Sequence, residues 1–198
     1  MKPIFFLLAC LLAGHANAGW TDKQGTLLPD SEERKSIGGF DAQIIFTHDE
    51  QALYEKWAAP SEIVNLDAVE SVSSSHPLNA FVIFRGCKPS AQGNCNVTMR
   101  HRVLQPNGKP CSETHAMDVW HNRPAPPARA LELSVQYIKL EVDGEQKGVY
   151  TLQTQVRDNN TGAVLFLQKT FSATDSPYAG KPDLDLLKTM PEMATHSL

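Results

Sequence analysis

Five basic side chains, Arg85, Lys88, Arg100, Arg102 and Lys109, fall in a stretch from Ser71 to Ser112 that holds no aspartate or glutamate. Cations concentrated in this way suit recognition of carboxylates, phosphates or sulfates, arginine by paired hydrogen bonds and lysine as a point charge. Asn96 to Leu104 alternates, with Val97, Met99, His101 and Val103 on one side and Thr98, Arg100 and Arg102 on the other. A strand there puts both arginines on one face. Such a stripe is suited to an acidic protein, a lipid headgroup or a polyanion. The competing expectation is a solvated face whose arginines pair across strands with Glu132 or Glu141, and exposed pairs of that kind contribute little.

A second group is Cys111, His115, Met117 and His121. Sulfur and imidazole together suit Cu(I) in an oxidising compartment. The spacing argues against a blue-copper centre, because His115 and Met117 are only two residues apart and several strand-like segments follow them. Strand alternation by itself puts His115, Met117 and Val119 on one face as packing residues, and the same holds for Met99 and His101. Neither a metal nor another cofactor is expected. For catalysis, Asp49, Glu50, Asp67 and Glu70 are acids near His48 and His76, yet acids and histidines in polar loops are mostly solvated. There is no nucleophile elbow, no helical pair of metal-binding histidines and no glycine-rich phosphate loop. A non-enzymatic binding role is the expectation, with copper binding and an unidentified hydrolase site as alternatives.

The elements that must position these residues are mostly strands. Residues 19 to 40 read as a polar, extended leader. Gln43 to Phe46 reads as a strand, and Thr47 with Glu50 has the spacing of a capping box opening a helix through Trp57, with Leu53 and Trp57 on its buried face. Pro60 ends that helix, and Ile63 to Leu66 returns to extended chain. Ala80 to Arg85 is apolar throughout and predicts a central strand buried on both faces. Pro106-Asn107-Gly108 is a turn, Thr114 to Trp120 a weaker strand, and Pro124-Ala125-Pro126-Pro127 a stiff connector that crosses between sheets. Leu131 to Val142 alternates and then changes phase, which predicts a bulge near Tyr137-Ile138. Tyr150, Leu152, Thr154 and Val156 form an inward row, and Ala163 to Phe171 closes the sheet. The tail, 173 to 198, carries a short helix over Asp183 to Lys188.

Gly148-Val149-Tyr150-Thr151-Leu152, then Val156-Arg157-Asp158 and Thr161-Gly162, resembles the closing strands of bacterial immunoglobulin-like domains, with Tyr150 where such folds carry a tyrosine corner. Phe84-Arg85-Gly86-Cys87, Gly93-Asn94-Cys95 and Pro106-Asn107-Gly108 resemble a group of exported bacterial proteins without an established function. The resemblance implies an immunoglobulin-like antiparallel β-sandwich over 41–172 with one short helix, and it implies no activity. Leu152 stands where antibody-type domains have their second core cysteine, so that subfamily is excluded.

Residues 1–18 have the form of a secretory signal peptide: Lys2, the apolar run Ile4 to Leu12, and Ala16-Asn17-Ala18 before the cut. Leu7-Leu8-Ala9-Cys10 also has the look of a lipobox, with Leu11-Leu12 then left on the mature end. A periplasmic location follows as the expectation. The net charge of −4 becomes one unit more negative when Lys2 is removed, which opposes any general affinity for nucleic acid. No later apolar run is long enough to cross a bilayer as a helix. Partners are therefore sought among periplasmic proteins and anionic envelope components. Of the three cysteines after the cut, Cys87 and Cys95 flank a turn-rich connection and are expected to pair, the alternative being Cys95 with Cys111. Asn96-Val97-Thr98 and Asn159-Asn160-Thr161 match a glycosylation sequon, which carries no meaning in a bacterial export context.

Overall fold

A computed structural model describes residues 19–21, 24–59, 69–73, 76–127, 130–141, 147–174 and 187–189. The expected signal sequence 1–18 with Cys10, Pro60, the segment from Ile63 to Leu66, Asp67 and most of the tail lie outside the described residues.

The protein is mainly β, with a single α-helix among the described residues. In chain order the elements are β1 Arg34–Ile37, β2 Phe40–Thr47, α1 Glu50–Ala58, β3 Ser71–Val72, β4 Leu78–Arg85, β5 Asn94–Leu104 and β6 Pro110–Glu113. They continue with β7 Met117–Pro124, β8 Glu132–Leu133, β9 Gln136–Leu140, β10 Gly148–Asp158, β11 Val164–Ala173 and β12 Leu187–Thr189. The first sheet runs β1-β2-β4-β9-β12 with β8 also beside β4, and the second runs β3-β11-β10-β5-β6 with β7 also beside β5. All pairings are antiparallel except that of β3 with β11.

The two sheets enclose one apolar core. Ala42, Ile44, Val82 and Phe84 of the first sheet pack against Val97, Met99, Leu152 and Leu167 of the second. Phe46 meets Phe171 edge to face at 6.0 Å across the interior. The outer face of the first sheet is also covered, because Trp20, Leu53, Tyr54 and Trp57 pack on Ile45, Phe81, Ile83, Leu133 and Tyr137. That double covering is why β4 has no alternation: every residue from Leu78 to Phe84 is buried. Among the described residues the outer face of the second sheet has no such cover, and β5 and β10 accordingly alternate between buried and more exposed positions.

Several local expectations are corrected. Helix α1 is capped by Asp49, whose Oδ1 accepts from Ala52 N at 2.9 Å, instead of by Thr47. Thr47 is the last residue of β2, and its hydroxyl is engaged with the Asp49 backbone. Glu50, displaced from the capping box, accepts hydrogen bonds from Asn79 at 2.8 Å and Tyr137 at 3.3 Å and so ties the helix to the sheet. The irregularity expected near Tyr137-Ile138 lies just before Ile138, where four residues, 134–137, stand opposite the two between Ala80 and Ile83 of β4. The strand is interrupted at Ser134, whose N–H donates to Val82 O and whose hydroxyl accepts from Val82 N. Beyond it Tyr137 faces the helix and Ile138 the inter-sheet core, so the apparent change of phase records two buried faces. In the tail, Leu187–Thr189 pairs with β9 as a strand where a helix was expected.

Gly38-Gly39, both at positive φ, turn β1 into β2, so a hairpin strand lies within the segment read as leader. Gly86 has φ +73°, and a Cβ built there would lie 1.9 Å from Gly39 O. No other residue fits where the end of β4 presses on that turn.

Cys87 and Cys95 form the disulfide, with Cα atoms 6.0 Å apart. Pro124, expected in the connector, is the last residue of β7, opposite Asn94, and beyond it the chain passes from the second sheet to β8 of the first. The double variant Cys87→Ala/Cys95→Ala is expected to lose about 2–3 kcal/mol of stability. Equilibrium urea unfolding of the oxidised protein and the variant checks this, and coincident midpoints would contradict it.

Candidate functional site

On β5 the alternation turns Val97, Met99, His101 and Val103 into the core and leaves Arg100 and Arg102 exposed. The register then sets the outer face of the second sheet in rows. Arg100 lies opposite Gln155, itself opposite Phe166; Arg102 lies opposite Gln153, itself opposite Gln168; and Thr98 lies opposite Arg157. Strands about 4.8 Å apart, with same-face residues about 6.8 Å apart along each, make this a regular grid of side chains. A depression of about 380 Å³ opens among them, lined by Arg100, Arg102, Gln153, Gln155, Phe166 and Gln168 together with the acidic Glu113.

Arg102 donates to Glu113 at 3.1 Å, and both side chains are about half exposed, so the pair adds under about 1 kcal/mol. The partner is Glu113 of β6, on the same sheet, whereas Glu132 begins β8 of the first sheet and Glu141 pairs with Lys139. The side chains of Arg100 and Arg157 make no hydrogen bond or ion pair among the described residues. Phe166 is 64% exposed although it sits in the middle of a strand.

The other predicted basic residues are not gathered here. Arg85 is on β4 of the first sheet, where its Nε donates to Asp41 Oδ2 at 2.6 Å, its guanidinium also donates to Gly19 O, and Trp20 lies beneath it at 5.5 Å. Lys88 follows the disulfide near the Asn94 end of β5, with its N–H donating to Asp158 Oδ2. Lys109 is in the turn beyond Leu104, with its N–H donating to Asn107 Oδ1. Both side chains are exposed, but they stand at opposite ends of an eleven-residue strand, on the order of 30 Å apart.

The soft ligands are dispersed. Met117 faces the core, His115 is exposed in the β6–β7 connection, and His121 is exposed and paired with Asp118 at 3.6 Å. Cys111 is free and half-buried; its thiol contacts Val103 O at 3.4 Å, and burial pushes its pKa up, away from the reactive thiolate. Among the described residues no group of three or more His, Cys, Asp or Glu converges to hold a metal ion. His101 is fully enclosed, with Nδ1 2.8 Å from Thr154 Oγ1, and burial lowers its pKa to about 3.

Of the acids and histidines, Asp49 caps the helix and Glu50 is held by Asn79 and Tyr137, whose own pKa rises to about 12, first through burial and then through Glu50. His48 Nδ1 lies 2.8 Å from Pro77 O, and its ring meets that of His76 edge-on at 6.0 Å. Glu70 contributes its backbone carbonyl to Ser172 N. Asn159 of the second sequon donates to Asn96 and Thr98 of the first.

Gln153, Gln155, Arg157, Phe166 and Gln168 were not singled out in the sequence. Their signal was present: Leu165 and Leu167 turn inward, so strand alternation turns Phe166 outward. What alternation does not provide is the neighbour across the ladder.

No family of known proteins matches the chain, and no curated protein matches it. Among solved structures, a family 123 glycoside hydrolase from Clostridium perfringens superposes with a TM-score of 0.35 and 13% identity, over 68% of this chain and 27% of that enzyme. The chain thus spans about a quarter of the enzyme's length, and at that score the likeness says nothing about activity.

Proposed function

We propose that this is an exported, periplasmic, non-enzymatic binding protein that recognises an anionic partner, a protein or an envelope component, through the outer face of its second sheet. Arg100, Arg102 and Arg157 carry the recognition, and Lys88 and Lys109 extend the positive field toward the two ends of β5. The observation that carries this reading is Arg100, exposed in a depression without an acidic partner among the described residues, in a chain whose net charge is −4. A cation left unneutralised on a rigid ladder is available to a ligand anion without first breaking an internal pair. Arg85 is left out of the surface because it lies on the first sheet, held by the buried Asp41, whereas the Arg102–Glu113 pair is exposed and weak enough to open for a ligand. We further propose an immunoglobulin-like arrangement of the two sheets, supported by their antiparallel pairing around one core, the connector crossing between them, and the buried Tyr150 stacked on Phe171 at 5.5 Å.

The test is co-sedimentation of the purified protein with isolated host envelopes, beside a variant carrying Arg100→Glu and Arg102→Glu. Charge reversal on an exposed face is expected to reduce the bound fraction at least about tenfold, and added salt to reduce binding of the unmodified protein in the same direction. Lys56→Glu, on helix α1 over the first sheet, is the control and is expected to bind nearly as well as the parent. Equal partition of the parent and the double variant would refute the assignment.

A further inference from the structure

We infer that the outer face of the second sheet binds an acidic polysaccharide, with Phe166 stacking on a sugar ring while Arg100 and Arg102 engage its carboxylates; this rests on the anion-binding reading above and names its ligand.

The composition of the face selects among anions. A protein interface is organised around a cluster of buried apolar and aromatic anchors with charges at the rim. Here a single phenylalanine, 64% exposed, stands among guanidinium and carboxamide groups, with Gln155 opposite and Gln168 two residues along the same strand. Recognition of anionic lipid by charge uses clusters of about 4–8 Lys or Arg. This face clusters three arginines, one already paired with Glu113, while Lys88 and Lys109 stand on the order of 30 Å apart at the two ends of β5 and add nothing to the cluster. Neither macromolecular class matches what the sheet presents.

A uronic acid chain does. Each pyranose ring has a face of C–H groups that packs on an aromatic ring by dispersion and through the negative potential of the π face. Its hydroxyl rim both donates and accepts, as do the carboxamides of Gln153, Gln155 and Gln168, each with two donor hydrogens and an acceptor oxygen. Its carboxylate has the two-oxygen edge that a guanidinium fork engages, and Arg100 has no acidic partner among the described residues. The grid places these groups in the order a linear polymer needs: the guanidinium of Arg100, then Gln155, then Phe166 across three hydrogen-bonded strands, with Arg102, Gln153 and Gln168 in the adjacent row. Backbone ladders fix the spacing, so little ordering is required on binding.

The experiment titrates the purified protein with four probes at one fixed ionic strength: polygalacturonate, its fully methyl-esterified form, polyglutamate, and vesicles of phosphatidylglycerol. Polygalacturonate is expected to bind at least about tenfold more tightly than the uncharged ester or polyglutamate. Phe166→Ala and Arg100→Gln are each expected to weaken it about tenfold, with Phe166→Tyr restoring it and unfolding midpoints unchanged because both side chains are exposed. Equal binding of polyglutamate and polygalacturonate, indifferent to Phe166→Ala, overturns the polysaccharide assignment and leaves anion recognition standing. Binding to the vesicles alone overturns it in favour of a membrane surface. Binding to none of the four overturns both readings.

Discussion

Arg85→Ala and Asp41→Ala are each expected to cost about 3–5 kcal/mol of folding stability, while the double variant Arg85→Met/Asp41→Leu costs less than either single change. The reason is desolvation. Asp41 is 0% exposed, and one of its oxygens, Oδ1, finds no hydrogen-bond partner among the described residues, so its charge depends on the Nε contact from Arg85 at 2.6 Å. Removal of the guanidinium leaves a buried, uncompensated carboxylate; removal of the carboxylate leaves a cation held only by Gly19 O and the Trp20 ring. Replacement of both with apolar groups of similar volume removes the penalty together with the attraction. Urea unfolding of the three variants checks the order, and a double variant less stable than both singles would show that the pair contributes net stability. Arg85 is for this reason an unsuitable position for testing recognition, since loss of binding there would report loss of the fold.

The second large effect is a stability that falls with acid through His101. Its folded pKa is depressed to about 3 from an ordinary 6.5 because burial disfavours the imidazolium. Above pH 6.5 the ring is neutral in both the folded and the unfolded chain, and its titration makes no difference. As the pH falls below 6.5, the unfolded chain takes up a proton that the folded chain refuses until about pH 3. The folded state therefore loses stability with a limiting slope of about 1.4 kcal/mol per pH unit, or about 2–3 kcal/mol between pH 6.5 and 4.5. His101→Leu removes the proton uptake and leaves Thr154 without its 2.8 Å partner, a constant cost at every pH. The stability difference between parent and variant should consequently shift in favour of the variant by about 2–3 kcal/mol on going from pH 7 to 4.5. A difference independent of pH would mean that the buried ring titrates as freely as it does in the unfolded chain.

Both effects arise from polar groups placed in the interior, and neither was prominent in the sequence. Arg85 reads there as one of five cations in an acid-free stretch, and Asp41, 44 residues earlier, is hidden from that view. His101 reads correctly as inward-facing, because Val97, Met99 and Val103 share its parity, but the hydroxyl that meets it comes from Thr154 on a strand 53 residues away. The helix is a milder instance. Its position is legible from the apolar spacing of Leu53 and Trp57, while its true cap is Asp49, since Thr47 is committed to pairing with Asn79 at the end of β2.

Which way a side chain faces along a strand is legible locally, because alternation with period two is a property of the local backbone. Inward Val97 and Val103, outward Arg100 and Arg102, the doubly covered β4, the crossing connector and the short disulfide loop all follow from residues close together in the chain. Which strands become neighbours emerges from the assembled fold, because ladder pairing joins segments whose separation in the chain local patterning does not encode. That choice carried Arg85 to the first sheet and set it on Asp41. It also brought Phe166, Gln155 and Arg100 into one row on the second sheet, the row on which the proposed recognition rests.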